Sequence, residues 1–155
     1  MATMTKMMAL AKLQRYCAYQ DRCHQEVRGK LLDLKVYGED LEWVMNELIK
    51  EKFLDELRFA QSFARGKFRN NKWGKTKIKI ELKKKAISDY CIRKAMLEID
   101  PEDYEETLTK LIQQKWDRTK AKSDFERKQK TAAFVIGKGY ENQVVWPLID
   151  KLTKA

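Results

Sequence analysis

One apolar pattern occurs three times along this chain of 155 residues, and it restricts the possible folds more than any other feature. In each copy four positions are separated by three, four and four residues, and the copies begin 51 and then 53 residues apart. The twelve positions are Val27, Leu31, Val36, Leu41, Ile78, Leu82, Ile87, Ile92, Thr131, Val135, Tyr140 and Val145, of which Thr131 is the weakest match. A repeat of this length is typical of stacked helical units.

The spacing within a copy predicts two helices joined by a short turn. The first two positions are four residues apart, so they share one face of a helix. The third position precedes the fourth by five residues, which is the spacing of a hydrophobic staple between N′ and N4 of the next helix. In the middle copy, Ser88 stands directly after Ile87 and before Ile92, where it fits the N-cap of that helix.

The residue before the third position predicts how the first helix of each pair ends. In the third copy this residue is Gly139, which readily adopts the left-handed conformation of a C′ residue. Lys35 and Ala86 occupy the corresponding positions in the other two copies, and a side chain disfavours that conformation. We therefore expect the helix ends of the first two copies to differ from that of the third.

A further helix precedes each pair. It opens at Asp55 in the second copy and at Asp100 in the third, where Pro101 fits the first helical position. We therefore expect an all-α fold of three tandem three-helix repeats that stack into an elongated, curved helical array. The predicted repeats are 1–52, 53–99 and 100–155.

The net charge of the chain is concentrated in one segment. Residues 58–85 contain eleven Lys or Arg and a single acid, Glu81, a net charge of +10. The whole chain also carries +10, so the bases and acids outside the segment balance. Folding does not require such a concentration, and its positive field favours a polyanionic partner.

The basic segment also contains a predicted corner between two helices. Trp73 lies there in the polar sequence Asn-Asn-Lys-Trp-Gly at 70–74. Lys75, Lys79 and Lys83 follow at intervals of four residues and share one helix face. Two interpretations of Trp73 remain open, stacking on a nucleic-acid base and packing at the corner. For the lysines, the alternative to binding is a solvated face.

No set of residues in the sequence indicates catalysis or metal binding. The sequence Gly-Lys-Thr at 74–76 resembles the end of a phosphate-binding loop, but Arg69 stands where that motif needs its first glycine. His24 is the one histidine, and it follows Cys23 at a spacing that zinc motifs do not use. We therefore predict no enzymatic activity, no cofactor and no metal.

Cysteine usage and hydropathy predict the environment of the protein. The three cysteines cannot all pair with one another, and no secretory leader is recognisable before them. No run approaches the ~20 apolar residues that a membrane span needs. We expect reduced thiols, a cytoplasmic location, no membrane contact and a monomer.

The middle of the chain resembles the central repeat of RecX, a family that regulates the bacterial recombinase RecA. The family pattern D-D/E-x-R-F-A is similar to Asp-Glu-Leu-Arg-Phe-Ala at 55–60, and a basic stretch leads from there to Gly74. The pattern R/K-I-x-x-E-L-x-x-K-G-I/V is similar to the sequence at 77–87. Less specific similarity to the family lies at 26–31, 114–116 and 134–140.

The chain departs from the family pattern at four positions. Lys35 and Ala86 replace glycines, Cys23 replaces a serine cap, and Gln20 replaces an arginine. These changes affect local helix ends and the charge of the first repeat, and they leave the overall assignment intact.

The residues expected to form the core of the middle repeat are Phe59, Phe63, Ile78, Leu82, Ile87 and Ile92.

The resemblance implies a non-enzymatic inhibitor of RecA. Such a protein would bind in the groove of the filament that RecA forms on single-stranded DNA, and would suppress ATP hydrolysis and strand exchange. Its partners would be the RecA filament and single-stranded DNA. Whether double-stranded DNA is also a partner is left undecided by the resemblance. The residues expected to contact DNA or filament are Arg65, Lys67, Arg69, Lys72, Trp73, Lys75, Lys79 and Lys83. The alternatives are a stand-alone helical-repeat module that binds nucleic acid and a plain protein-interaction scaffold.

Overall fold

Nine α-helices make up most of residues 4–154, the part of the chain that the computed structural model describes. In chain order they are α1 (Lys6–Tyr19), α2 (His24–Asp33), α3 (Gly38–Lys50), α4 (Glu56–Asn71), α5 (Lys75–Lys84), α6 (Asp89–Met96), α7 (Pro101–Arg118), α8 (Asp124–Gly137) and α9 (Asn142–Thr153). These residues contain no strand. The predicted all-α, helical-repeat fold is therefore confirmed.

Side-chain caps set several helix starts where the sequence predicts them. Asp55, Ser88 and Asp100 each accept a hydrogen bond from the N–H three residues later, at 2.9, 3.2 and 3.0 Å. At the start of α2, the Cys23 N–H donates to the Glu26 carboxylate at 3.2 Å. These bonds satisfy amides that have no partner inside the helix.

The helices α2, α5 and α8 end in the same way, so the expectation that their ends would differ was wrong. Lys35, Ala86 and Gly139 all have positive φ angles, of 65°, 62° and 106°. In all three cases their N–H donates to the carbonyl three residues earlier, and the next N–H donates to the carbonyl five residues earlier. This pair of bonds is a Schellman motif. Its bonds, and the burial of the apolar residue that follows, outweigh the cost of about 1 kcal/mol for a side chain in the left-handed region.

The residue after each Schellman position anchors the next helix. Val36, Ile87 and Tyr140 are buried, and each directly precedes the N-cap of α3, α6 or α9. Their predicted staple partners are also buried, and these are Leu41, Ile92 and Val145. The apolar repeat in the sequence is thus the record of one helix–turn–helix geometry used three times.

The chain divides into two compact units, each formed from two parts of the sequence. Within the described residues, unit 1 contains everything up to Ser62 together with Leu82–Ala95, and unit 2 contains Phe63–Glu81 and everything from Met96 onwards. In unit 1, α1, α2 and α3 pack on one another, and in unit 2, α7, α8 and α9 do so. The middle repeat contributes residues to both units. The repeat boundaries at 52 and 99 stay a prediction.

Most of the predicted core of the middle repeat is buried. The buried residues of that set are Phe59, Ile78, Leu82, Ile87 and Ile92. Phe63 is the exception, since it is only half-buried and its ring meets that of Trp73 edge-on, with 6.4 Å between the ring centres. Phe63 therefore belongs to the surface cluster described below.

Candidate nucleic-acid interface

The basic corner is the stretch from Arg65 to Lys79, which includes the end of α4, the turn and the start of α5, and which lies within unit 2. These fifteen residues contain seven Lys or Arg and no acid. Seven of the eight predicted contact residues lie in the basic corner. The eighth, Lys83, belongs to unit 1.

Backbone hydrogen bonds fasten the basic corner to the end of α8. The Gly74 N–H donates to the Lys138 carbonyl at 2.8 Å, and the Thr76 N–H donates to the Gly139 carbonyl at 2.9 Å. The two glycine backbones are so close that a Cβ on Gly74 would lie 2.3 Å from the carbonyl carbon of Gly139. Position 74 therefore requires glycine, because any side chain would collide with backbone.

The hydroxyls of two buried tyrosines form hydrogen bonds with the backbone of the turn. The Tyr140 side chain is 1% exposed, and its hydroxyl donates to the carbonyl of Lys72, a residue with a φ of 59°. The Tyr104 hydroxyl accepts the Lys75 N–H at 2.9 Å and donates to the Glu141 carboxylate. Burial raises the pKa of both tyrosines, so both hydroxyls keep their protons at neutral pH and remain donors.

The occupied amides at the start of α5 argue against a phosphate-binding loop. Such a loop presents free backbone N–H groups at a helix N-terminus. Here the N–H groups of Gly74, Lys75 and Thr76 all donate to acceptors within the chain. The Gly-Lys-Thr sequence thus has a structural role, as its missing first glycine indicates.

Several of the predicted contact residues have partners within the chain. Arg65 forms an ion pair with Glu98, and the Lys83 ammonium lies 3.7 Å from the Asp89 carboxylate. The Lys75 ammonium lies 4.8 Å from the ring centre of the tyrosine that its own N–H contacts. Exposed ion pairs contribute at most about 1 kcal/mol, so Arg65 and Lys83 can still meet an anion, but part of their charge is already neutralised.

Arg69, Lys72 and Lys79 carry the uncompensated charge of the basic corner. All three residues are exposed. Within residues 4–154 none of them forms an ion pair, and the Lys72 ammonium donates to the Arg69 carbonyl at 2.9 Å. An approaching anion would therefore meet three side chains whose charge no ion pair reduces.

Trp73 packs at the corner among cations. The ammonium groups of Lys67 and Lys77 lie 4.9 and 4.4 Å from its ring centre, and Phe63 meets its edge. The ring thus holds two positive charges at one place. Lys77 is absent from the predicted contact set, although its position four residues after Trp73 is a signal that they share a side of the structure.

Acidic side chains border the basic corner on the side of α7. Arg69 and Lys72 line an open pocket of about 260 Å³ together with Asp103 and Glu106. Glu106 is paired with Lys110 at 3.0 Å, whereas Asp103 forms no ion pair among residues 4–154. The Asp103 carboxylate repels phosphate, so we expect an anionic partner to approach the corner from the side away from Asp103.

Metal ligands, membrane helices and reactive thiols are not features of the described part of the chain. No three His, Cys, Asp or Glu side chains in residues 4–154 are grouped to hold a metal ion. No helix among these residues combines the length and apolarity that crossing a bilayer requires. Cys17, Cys23 and Cys91 are unpaired and buried, and burial raises the pKa of all three thiols, that of Cys23 to about 11. They are therefore poor nucleophiles at neutral pH.

Comparison with known families identifies the second and third repeats. Residues 55–96 match the family described as "RecX, second three-helix domain", and residues 102–149 match "RecX, third three-helix domain". The chain belongs to the RecX family. The resemblance seen in the sequence at 55–60 and 77–87 is thereby confirmed.

Individual RecX relatives match over most of this chain. A "Regulatory protein RecX" of Prosthecochloris aestuarii is 27% identical over 146 residues, which is 93% of both chains. One of Bacillus cereus (strain B4264) is 26% identical over 88% of this chain, which spans only 51% of that relative. The crystal structure of RecX from Lactobacillus salivarius has a TM-score of 0.87 at 22% identity, with 95% of this chain and 96% of that chain covered. This last similarity shows the fold.

Proposed function

We propose that this protein regulates RecA by binding in the groove of the RecA–single-stranded DNA filament, where it suppresses ATP hydrolysis and strand exchange and so modulates recombination and DNA repair. Membership of a family of regulatory proteins supports the proposal. The observation that carries it is the basic corner, with seven bases, no acid, and a turn fixed by backbone hydrogen bonds. A fixed array of cations suits DNA phosphates or an acidic protein surface.

The residues of the basic corner would divide the work. Arg69, Lys72 and Lys79 would contact phosphate or carboxylate groups directly, because their charges are uncompensated. Trp73 would offer an aromatic edge beside the two lysines that lie on its ring, either to a base or to an apolar side chain of the filament.

The remaining predicted residues would mainly stabilise the corner or add to its positive field, with fewer direct contacts to the partner. Arg65 and Lys75 hold the flanks of the corner through their ion pair and ring contact, and Lys83 adds charge farther along α5. Binding in this way needs no catalytic group, cofactor or metal on this chain. The regulator would change the reaction of RecA by occupying the filament.

The test is the rate of ATP hydrolysis by RecA on single-stranded DNA, with this protein added in amounts well below one copy per RecA. A fall in the steady rate is the expected result. The informative variant is Arg69→Glu with Lys79→Glu, which reverses two exposed charges that have no partner to lose. We expect it to fold normally and to lose inhibition.

Lys12→Glu with Arg15→Glu is the matched control, because it makes the same charge change at exposed residues of α1. Equal loss in both variants would show that net charge, and not the basic corner, controls inhibition. No effect of the wild-type protein on ATP hydrolysis, combined with salt-sensitive binding to DNA alone, would favour the stand-alone nucleic-acid-binding module.

A further inference from the structure

A second basic region lies in unit 2, outside the basic corner. Residues 115–130 contain seven Lys or Arg and three acids. The region covers the end of α7, the turn at 119–123 and the start of α8. It is hidden in the charge count because the first turns of α7 carry Glu102, Asp103, Glu105 and Glu106, which offset it.

Specific contacts hold this turn in one conformation. The Arg127 guanidinium donates to the Trp116 carbonyl from two nitrogens, at 2.9 and 2.7 Å, and lies 4.1 Å from the centre of the Trp116 ring. The Thr119 hydroxyl donates to the Lys115 carbonyl at 2.5 Å. Both ends of the turn are thereby fixed, so its backbone loses little further entropy when a ligand binds.

The Glu126 carboxylate, in the first turn of α8, is used internally. Glu126 accepts the Lys122 N–H at 3.1 Å and the Lys130 ammonium at 3.1 Å, and the pKa of Glu126 is lowered by these two donors. The Lys130 ammonium also reaches the Lys120 carbonyl at 3.5 Å. Glu126 therefore shapes the turn and has its charge balanced by Lys130, so it does not cancel the other bases.

Three bases and one aromatic ring remain exposed on this turn. Arg118, Lys120 and Lys122 are exposed and form no ion pair within the described residues. Phe125, in the first turn of α8, has 70% of its surface exposed. Two exposed acids, Asp117 and Asp124, border them. The partners of Arg127, a ring and a carbonyl, carry no net charge. Its positive charge therefore adds to that of the three exposed bases, and the turn stays positive despite the two acids.

We propose that this turn is a second contact for single-stranded nucleic acid. Its phosphates bind to Arg118, Lys120 and Lys122, and one base stacks on the ring of Phe125. The combination of a basic strip with an exposed aromatic ring is what single strands require, since an unpaired base offers a free face that a duplex does not. The contact involves this chain and DNA alone, so it does not depend on the proposed action on RecA.

The experiment measures binding of the whole protein to a fluorescent oligodeoxythymidine at several salt concentrations, without RecA. Lys120→Glu with Lys122→Glu should weaken binding about tenfold or more and reduce the log–log salt slope by about 1.4, since each phosphate on a single strand contributes about 0.7. The α1 variant Lys12→Glu with Arg15→Glu should leave the slope unchanged. Binding by the turn variant equal to that of the α1 variant would overturn the proposal.

Substitution of Phe125 distinguishes stacking from apolar docking. Phe125→Ala and Phe125→Leu should each weaken binding to the single strand about fivefold and leave duplex binding unchanged, because both remove the aromatic face. Both variants should fold normally, since the side chain is exposed. Full binding by Phe125→Leu, with loss in Phe125→Ala, would mean that the ring is an apolar anchor, and would overturn the stacking assignment.

The outcome is independent of the RecA assay. Loss of DNA binding in the turn variants supports the second contact even if the wild-type protein leaves ATP hydrolysis unchanged. Conversely, inhibition of RecA with unaltered DNA binding in the turn variants would refute the second contact and leave the proposed function standing.

Discussion

Arg58 and Arg69 lie eleven residues apart on α4, yet their surroundings differ completely. The Arg58 guanidinium donates to the Asp21 carboxylate at 2.9 Å and to the carbonyls of Lys52 and Phe53 at 3.0 and 3.1 Å. Arg69 is exposed and forms no ion pair among the described residues. A charge count treats the two as equal. The contrast shows that one basic segment serves two purposes, the first base stabilising unit 1 and the second remaining available for a ligand.

The largest expected effect comes from disturbing the close contact between the backbones of Gly74 and Gly139, which fixes the basic corner. Gly74→Ala should destabilise the protein by about 3 kcal/mol or more, because its Cβ would lie 2.3 Å from the backbone of Gly139. Thermal unfolding measures the effect. Gly66→Ala in α4 is the matched control, since nothing lies within 4 Å of its Cβ, and it should stabilise the helix by about 0.8 kcal/mol. Similar melts for the two variants would disprove the close contact.

Truncating the two arginines tests the comparison directly. Arg58→Ala should lower the free energy of unfolding by about 1–2 kcal/mol, because two backbone carbonyls and a carboxylate lose their donor. Arg69→Ala should leave the free energy of unfolding unchanged within about 0.5 kcal/mol and should reduce DNA or filament binding. Chemical denaturation gives both values. A larger loss of unfolding free energy in Arg69→Ala than in Arg58→Ala would show that Arg69, and not Arg58, stabilises the fold.

The ends of α2 and α5, at Lys35 and Ala86, are two places where a substitution should stabilise unit 1. Ala86→Gly and Lys35→Gly should each raise the free energy of unfolding by about 0.5–1 kcal/mol, because glycine adopts the observed φ angles of 62° and 65° without strain. Denaturant titration measures the change. Gly139→Ala should act in the opposite sense, since its Cβ would lie 2.4 Å from that of Lys77. A loss of stability in the glycine variants would show that these residues are not left-handed.

The last expected effect is confined to alkaline pH and is absent at neutral pH. The folded Cys23 thiol has a pKa of about 11, against 9.0 for a free thiol, so unfolding releases its proton between these values. Stability from this group is complete below about pH 9 and is lost as the pH rises towards 11, by about 1 kcal/mol at pH 9.5–10. Cys23→Ser should flatten this part of the melting temperature profile. An unchanged slope in Cys23→Ser would assign the alkaline loss to other groups.

The sequence predicted what depends on periodicity and composition. Apolar spacing located the helices and staples, and caps such as Ser88 and Asp100 located their starts. The left-handed Lys35 and Ala86 were missed, because propensity disfavours them and the bonds that hold them appear only in three dimensions. The partners of Arg65 and Lys83 could not be predicted, since ion pairs depend on which distant acid the fold brings near. For the same reason, the support of the basic corner by residues 138–140 has no signature in the sequence.

That support has a consequence for dissecting the protein into fragments. A fragment cut at the predicted boundary after residue 99 would keep every base of the corner but lose the carbonyls that accept the N–H groups of Gly74 and Thr76, and the hydroxyl that meets the Lys72 carbonyl. Its failure to bind would report a missing scaffold and say nothing of contacts made by the third repeat itself. Deletion mapping of this chain should therefore keep 63–81 and 96–155 together, and should locate contacts by point substitution.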